Sequence, residues 1–233
     1  MNLPFFYKED IAAGAQHIVL DEDTSRHVVQ VLRMQPGERL QVTDGKGALY
    51  TAVITEDHKK KTVVQIETNV YAQPPSQKVS IAISLLKNTT RFEWFLEKAT
   101  EIGVTTIVPL LCKRTEKEHF RYDRMKNILV SAMLQSQQVW LPALQEPAPF
   151  DKFVLQSFDL THKLIAHCEE DDKHLLHPVS SFPHSLILIG PTGDFTKEEI
   201  LLAKEQGFRP VTLGSTRLRT ETAGIVAATL LKL

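Results

Sequence analysis

At Gln73-Pro74-Pro75-Ser76 the hydrophobic pattern of this chain changes period, and that change limits the folds open to it. Consecutive prolines remove backbone donors and push the preceding residue out of the helical region, so the segment reads as a boundary between domains. Beyond it, strand-like and helix-like runs alternate. Val79–Leu86 reads as a strand, and a helix follows, opened by a Thr90-x-x-Glu93 capping box and closed by Gly103. Thr105–Leu111 reads as the next strand and Arg121–Val139 as a long helix. Lys163–His167 and Leu186–Gly190 are strands, and Thr196-x-x-Glu199 opens a helix running to Gly207. Pro210–Leu213 is the last strand, and an apolar helix starts at Thr222. This alternation predicts an α/β fold with a parallel sheet covered on both faces, doubly wound by pattern alone.

Residues 1 to 72 follow a different pattern. Gln41–Gly47 followed by Ala48–Ile54 reads as a hairpin around a Gly-rich turn, Lys61–Val70 as another strand, and Ser25–Arg33 as a helix. A small β-barrel is the expected architecture. Hydrophobic residues make up 42% of the 233 and charged residues 24%, which fits a soluble globular protein. The net charge of −1 places any nucleic-acid contact on local clusters of charge. Cys112 and Cys168 form no CxxC and no Cys/His metal spacing, which predicts no metal and a reducing, cytoplasmic setting. No apolar run approaches the ~18 residues of a membrane span, and MNLPFFYKED lacks the pattern of a signal peptide.

Two junctions near the C-terminus share one design. Leu186–Gly190 runs through Pro191-Thr192-Gly193-Asp194-Phe195 into the capped helix, and Pro210–Leu213 runs through Gly214 and a cationic loop into the last helix. Each is also an ordinary way to connect a strand to a helix. As a pair at neighbouring strand ends, they predict a small-molecule cleft with free N–H groups at a helix N-terminus. No G-x-G-x-x-G follows a strand, which argues against a nicotinamide dehydrogenase.

The order LIA…LIGPxGxF…LGxxxLRTETA, ending at Ala223, resembles the S-adenosylmethionine-binding part of the SPOUT methyltransferases. Two further motifs narrow the resemblance to the uridine-N3 methyltransferases of 16S (small-subunit) ribosomal RNA. They are His27-x-x-Gln-Val-Leu-Arg33-Met34 and Lys87-x-x-x-Arg91-x-Glu93-Trp94-x-x-Glu97-Lys98-Ala99-Thr100-Glu101-x-Gly103-Val104. The chain departs from the family at Thr192 and Asp194, where Glu and a second Gly are usual, and at Gln137, where an Arg often follows Gln-Ser. The resemblance implies a deep trefoil knot in a C-terminal SPOUT domain, residues 77–233. It implies a PUA-like β-barrel over residues 1–72 that helps to hold RNA. It also implies S-adenosyl-L-methionine as the cofactor, no metal, and a homodimer with cofactor sites near the subunit contact.

On that resemblance, Ile189, Gly190, Pro191, Gly193, Leu213, Gly214, Leu218, Thr220 and Ala223 are expected to hold the cofactor, with His167 lining the same cleft or simply buried at its strand end. Arg219 is expected to act in catalysis. As uridine N3 loses its proton, charge spreads onto O2 and O4, where a guanidinium stabilises it. The alternative for Arg219 is a pairing with Glu221 or with a sheet-end carbonyl. Asp194 is a candidate base by position alone, or a solvated loop residue. For RNA, Lys113–Lys126 holds six Lys/Arg against three acids, interleaved with aromatics, and nominates Arg114, Arg121 and Arg124. Arg91 at a helix start, and His27 and Arg33 in the N-terminal region, are the further candidates. Glu97, Lys98 and Glu101 read as a solvated helix face. Two rivals remain: a SPOUT methyltransferase acting elsewhere on RNA, and a non-catalytic RNA-binding protein with the same fold.

Overall fold

A computed structural model describes residues 3–116, 119–156, 162–177 and 183–233. Lys117 and Glu118 of the basic segment lie outside the described residues. The chain divides into two compact units: one takes the residues to Pro74 together with Met133–Leu141, the other Pro75–Ala132 and Pro142–Leu233.

In the first unit, strands β1 (Phe5–Tyr7), β2 (His17–Val19), β3 (Arg39–Thr43), β4 (Ala48–Glu56) and β5 (Val63–Tyr71) form one sheet in the order β1-β3-β4-β5-β2. Only β1 and β3 run parallel. The expected hairpin is β3–β4, whose turn is held by Asp44 Oδ1, accepting the N–H groups of Lys46 and Ala48 at 2.7 and 3.1 Å. Gly47, at φ 102°, lies against Trp140, where a Cβ would come within 2.4 Å of the indole. One face of the sheet buries Phe6, Ile18, Val28, Leu40, Val42, Ile54 and Val64. The helix expected at Ser25–Arg33 begins earlier, as α1 (Glu22–Arg26), because Asp21 caps it through Thr24 N at 2.9 Å. It continues as a π-turn over His27–Val31 and stops before Arg33, which is left-handed at φ 56°.

The second unit carries the parallel sheet. Its elements are β6 (Lys78–Ser84), α2 (Thr89–Ile102), β7 (Thr106–Leu111), α3 (Tyr122–Gln135), β8 (Ala143–Leu144), β9 (Ala148–Pro149), α4 (Phe150–Val154), β10 (His162–Ala166), β11 (His174–Leu175), β12 (His184–Ile189), α5 (Lys197–Glu205), β13 (Arg209–Thr212) and α6 (Thr220–Lys232). The last three residues of α3 group with the first unit. The strand order is β11-β13-β10-β12-β6-β7-β8, with β9 also on β7, and every pairing is parallel.

Alternation along the central strands explains why both faces are covered. Successive side chains of a strand point to opposite faces. Ala82, Leu186 and Leu188 join Phe150, Phe153, Phe195 and Ile200 on the α4/α5 side. Ile83 lies on the opposite side, against α6 and Phe95 of α2. A strand buried on both faces must be apolar at nearly every position, as LILI is. Gly224 lets α6 press against α2, for a Cβ there would lie 2.6 Å from the Phe95 ring and 2.9 Å from Ile83 Cδ1.

Local signals were met unevenly. The Thr196/Glu199 capping box forms with both of its reciprocal bonds, and Gly103 ends α2 in the left-handed conformation at φ 91°. The Thr90/Glu93 box does not form. Asn88 caps α2 through Thr90 N at 3.0 Å, and Glu93 instead receives Arg124 Nε and Nη2 at 2.6 and 3.0 Å. Helix α3 stops at Gln135, short of Val139, with Gln137 left-handed at φ 56°. Helix α6 starts at Thr220, two residues before the expected Thr222.

Candidate functional site

Because the sheet is parallel, the C-terminal ends of β10, β12 and β13 lie along one edge, and these three strands are neighbours. Such an edge is where a doubly wound sheet leaves room for a ligand. The three loops leaving it, with the end of β6 and the starts of α2 and α6, enclose a cleft of about 1060 Å³. All ten residues expected to hold the cofactor line this cleft, and so do Arg219 and Arg91.

The loop after β12 is shaped by two consecutive left-handed residues, Gly193 at φ 89° and Asp194 at φ 71°. Left-handed backbone is the reason glycine suits position 194, and Asp is among the few L-residues that tolerate it. Asp194 also holds the loop in place. Its Oδ1 accepts Phe195 N at 2.8 Å, and its Oδ2 accepts Cys168 N at 2.5 Å, tying the β12 loop to the end of β10. Each oxygen accepts one backbone N–H, which gives Asp194 a structural part in the loop. Arg114 braces the same loop from outside: its guanidinium donates to the carbonyl of Gly193 and, at 3.4 Å, to those of Asp194 and Phe195. Gly190 is packed so closely that a Cβ would come within 3.1 Å of Phe195.

The loop after β13 turns at Gly214, φ 139°, with Thr212 Oγ1 donating to its carbonyl at 2.9 Å. Arg219 then occupies the N-cap of α6, and no side chain caps that helix. Uncapped first-turn N–H groups facing a cleft are ready donors for a polar or anionic ligand group. Arg219 and Arg217 are exposed and make no ion pair among the described residues. Glu221 pairs instead with Arg91, Oε1 to Nε 3.7 Å.

His167 reaches the cleft by its backbone, for its side chain has no exposed surface. Burial, then the charge of Lys173, pushes its pKa below the usual histidine value, against the opposing pull of Asp194 and Asp171. The ring is therefore held as the neutral form, with Nε2 3.5 Å from Asp171 Oδ2.

The RNA candidates of the second unit have different surroundings. Arg91 lines the cleft, Arg114 is the loop brace, and Arg124 is held in a forked pair with Glu93. Arg121 is exposed. In the first unit His27 stands edge-on to Phe6, ring centroids 6.0 Å apart, and Arg33 is exposed. Lys98 bonds Glu97 and Glu101 at 2.7 and 2.8 Å, as a solvated helix face would. Lys87, Asn88, Cys168 and Lys173 also line the cleft and were not among the expected site residues. The signal for the first two was present, since Lys87 leaves β6 as Gly190 leaves β12. No group of three or more metal-ligating side chains occurs among the described residues.

Comparison with known proteins agrees with this geometry. Residues 73–232 match the family described as RNA methyltransferase domain, and residues 20–67 match RNA methyltransferase PUA domain. Ribosomal RNA small subunit methyltransferase E of Synechocystis is 32% identical over 207 residues, 86% of this chain and 68% of that protein. Among solved structures, one assigned as an rRNA-methyltransferase from Porphyromonas gingivalis superposes with a TM-score of 0.88 at 37% identity, covering 97% of this chain and 95% of its own. Ribosomal RNA small subunit methyltransferase E from Neisseria gonorrhoeae, bound to S-adenosyl methionine, gives 0.82 at 29% identity, covering 97% and 95%.

Proposed function

This chain belongs to the RNA methyltransferase family, of SPOUT type with a PUA-like N-terminal region, and from that premise we propose that it transfers a methyl group from S-adenosylmethionine to N3 of a uridine in small-subunit ribosomal RNA. The observation that carries the proposal is the cleft itself. Two glycine-bearing loops, the end of β10 and an uncapped helix N-terminus meet there, and every residue expected at the cofactor lies on its wall.

The residues fit the cofactor. Backbone groups of Ile189–Gly193 and Leu213–Leu218 offer donors and acceptors for adenine and ribose, and the first turn of α6 offers N–H groups for the methionyl carboxylate. The bound cofactor supplies a sulfonium methyl that needs no further activation. The chain's own task is to place the acceptor ring in line and stabilise it. Arg219, exposed at the cleft and not tied to a carboxylate, carries out the second part by meeting the charge that develops on O2 and O4. Glycine-to-Asp at 194 is no argument against catalysis, because Asp194 keeps the left-handed turn and adds two bonds to it.

The same reading gives residues 1–72 and 77–233 the parts of RNA-holding and methyl-transferring domain. It includes the trefoil knot, supported by the return of α6 from β13 to β6 and β12. It includes a place in the cytoplasm and a homodimer, the latter supported by the half-exposed row Ile225, Val226 and Leu230 on α6. Mapping modified uridines in small-subunit ribosomal RNA from cells with and without the protein tests the proposal. One N3-methylated uridine should vanish with the protein, and an unchanged map refutes it.

A further inference from the structure

Removing the N3 proton of uridine needs an acceptor, and among the described residues the cleft offers three carboxylates: Glu116, Asp194 and Glu221. Two are committed. Glu116 Oε2 receives Lys87 Nζ at 2.6 Å, and both oxygens of Asp194 receive backbone N–H groups. Glu221 is different. Its side chain is only 10% exposed, and its closest cation, Arg91 Nε, stands at 3.7 Å, beyond hydrogen-bond distance.

A first-turn carboxylate favours a helix from the surface as well as from inside. Burying it removes hydration, and one long ion pair replaces little of that. Glu221 is therefore placed at a cost that its helix does not explain. It opens on the same cleft as Arg219, two residues away along the chain. Arg91 Nε is its nearest cationic atom but makes no hydrogen bond to it.

We propose that Glu221 is the general base of the methyl transfer, an inference that rests on the uridine-N3 reading above. The N3–H bond breaks and its proton passes to a Glu221 carboxylate oxygen. The freed N3 electron pair forms the bond to the methyl carbon, and the carbon–sulfur pair returns to sulfur, leaving a neutral thioether. Glu221 ends as the neutral acid and releases the proton to solvent after the product leaves. Arg219 faces the ring oxygens while Glu221 faces N3, so the two side chains divide the charge created by one deprotonation.

The test is single-turnover methylation by the full chain at saturating cofactor. Two preparations of small-subunit ribosomal RNA serve as substrate, one with uridine and one transcribed with 5-fluorouridine, whose N3 proton is more acidic. Glu221→Gln is expected to slow transfer to the uridine RNA by ~10²–10⁴-fold. Its affinity for S-adenosylhomocysteine should stay at the wild-type value, which also reports that the variant is folded. The defect should shrink on the 5-fluorouridine RNA and with rising pH, because an acceptor already ionised needs no base. Glu221→Asp keeps a carboxylate and should retain at least tenfold more rate than Glu221→Gln, which keeps the test open if the glutamine variant folds poorly. Wild-type rates in Glu221→Gln, or a defect of the same size on both RNAs, overturn the proposal. A wild-type chain that methylates neither RNA overturns the reading beneath it.

Discussion

Asp194 offers a quantitative test of how the cofactor loop is held. Replacing it with glycine restores the residue usual in the family, and on conformational grounds alone that should help, because φ 71° strains any residue with a Cβ. Two bonds oppose the gain. The carboxylate accepts Phe195 N at 2.8 Å and Cys168 N at 2.5 Å. Hydrogen bonds to a charged group contribute ~1.5–3 kcal/mol when enclosed, and near solvent about 1 kcal/mol each is a fair figure, so ~2 kcal/mol is lost. Relief of the left-handed strain returns ~1 kcal/mol, and the added freedom of an unfolded glycine takes back ~0.5–1. Asp194→Gly should therefore destabilise the C-terminal unit by ~2 kcal/mol. Asp194→Ala, which loses the same bonds and leaves the strain in place, should likewise cost ~2 kcal/mol. Thermal unfolding should show drops of ~2–4 °C per kcal/mol. If the loosened loop must reorder on binding, S-adenosylhomocysteine affinity falls by up to ~30-fold for the glycine variant, read by titration calorimetry. A glycine variant at least as stable as wild type, binding as tightly, would refute the clamp and leave Asp194 a tolerated departure.

Arg219→Ala should lower the single-turnover rate ~10²–10³-fold with little change in cofactor affinity, and Arg219→Lys should restore only part of it, because an ammonium cannot fork to two oxygens. Arg114→Ala should weaken cofactor binding, since that guanidinium holds three loop carbonyls. Arg121→Ala should leave cofactor affinity intact and flatten the salt dependence of RNA binding by up to ~0.9 log units per log salt on duplex RNA-like sites. Filter binding across a salt series separates the two arginines. Cys168 should react with a thiol reagent at pH 8, and bound cofactor should protect it, because it is exposed on the cleft wall. Cys112 should stay unmodified, burial and the nearby Glu199 having pushed its pKa up to about 12. Mass spectrometry of the labelled chain reads both.

What the sequence disclosed follows the range of the forces involved. The parallel sheet was legible because LILI and its neighbouring strands must be apolar on both faces, and the Thr196/Glu199 box was legible because its partners are three residues apart. The Thr90/Glu93 box was misread for the complementary reason. Asn88-Thr89-Thr90 offers several caps, and the residue that claims Glu93, Arg124, is 31 positions away. Arg114 looked like an RNA contact because its local charge is visible, whereas the loop it braces lies 79 positions on. Asp194 was ambiguous because a positive φ is a property of the folded loop, and Glu221 was offered only as an alternative partner of Arg219 because Arg91 of α2 is adjacent only in space.

Methylation of uridine at N3 is the reaction proposed for this cleft. Its most direct test is nucleoside analysis by mass spectrometry of small-subunit ribosomal particles incubated with the purified chain and S-adenosylmethionine bearing a heavy methyl group. Heavy 3-methyluridine should form at a single site, at a rate ~10²–10³-fold lower when Arg219→Ala replaces the wild type. Heavy methyl found on a ribose 2′-oxygen or on another base, or no transfer to any nucleoside, would contradict it.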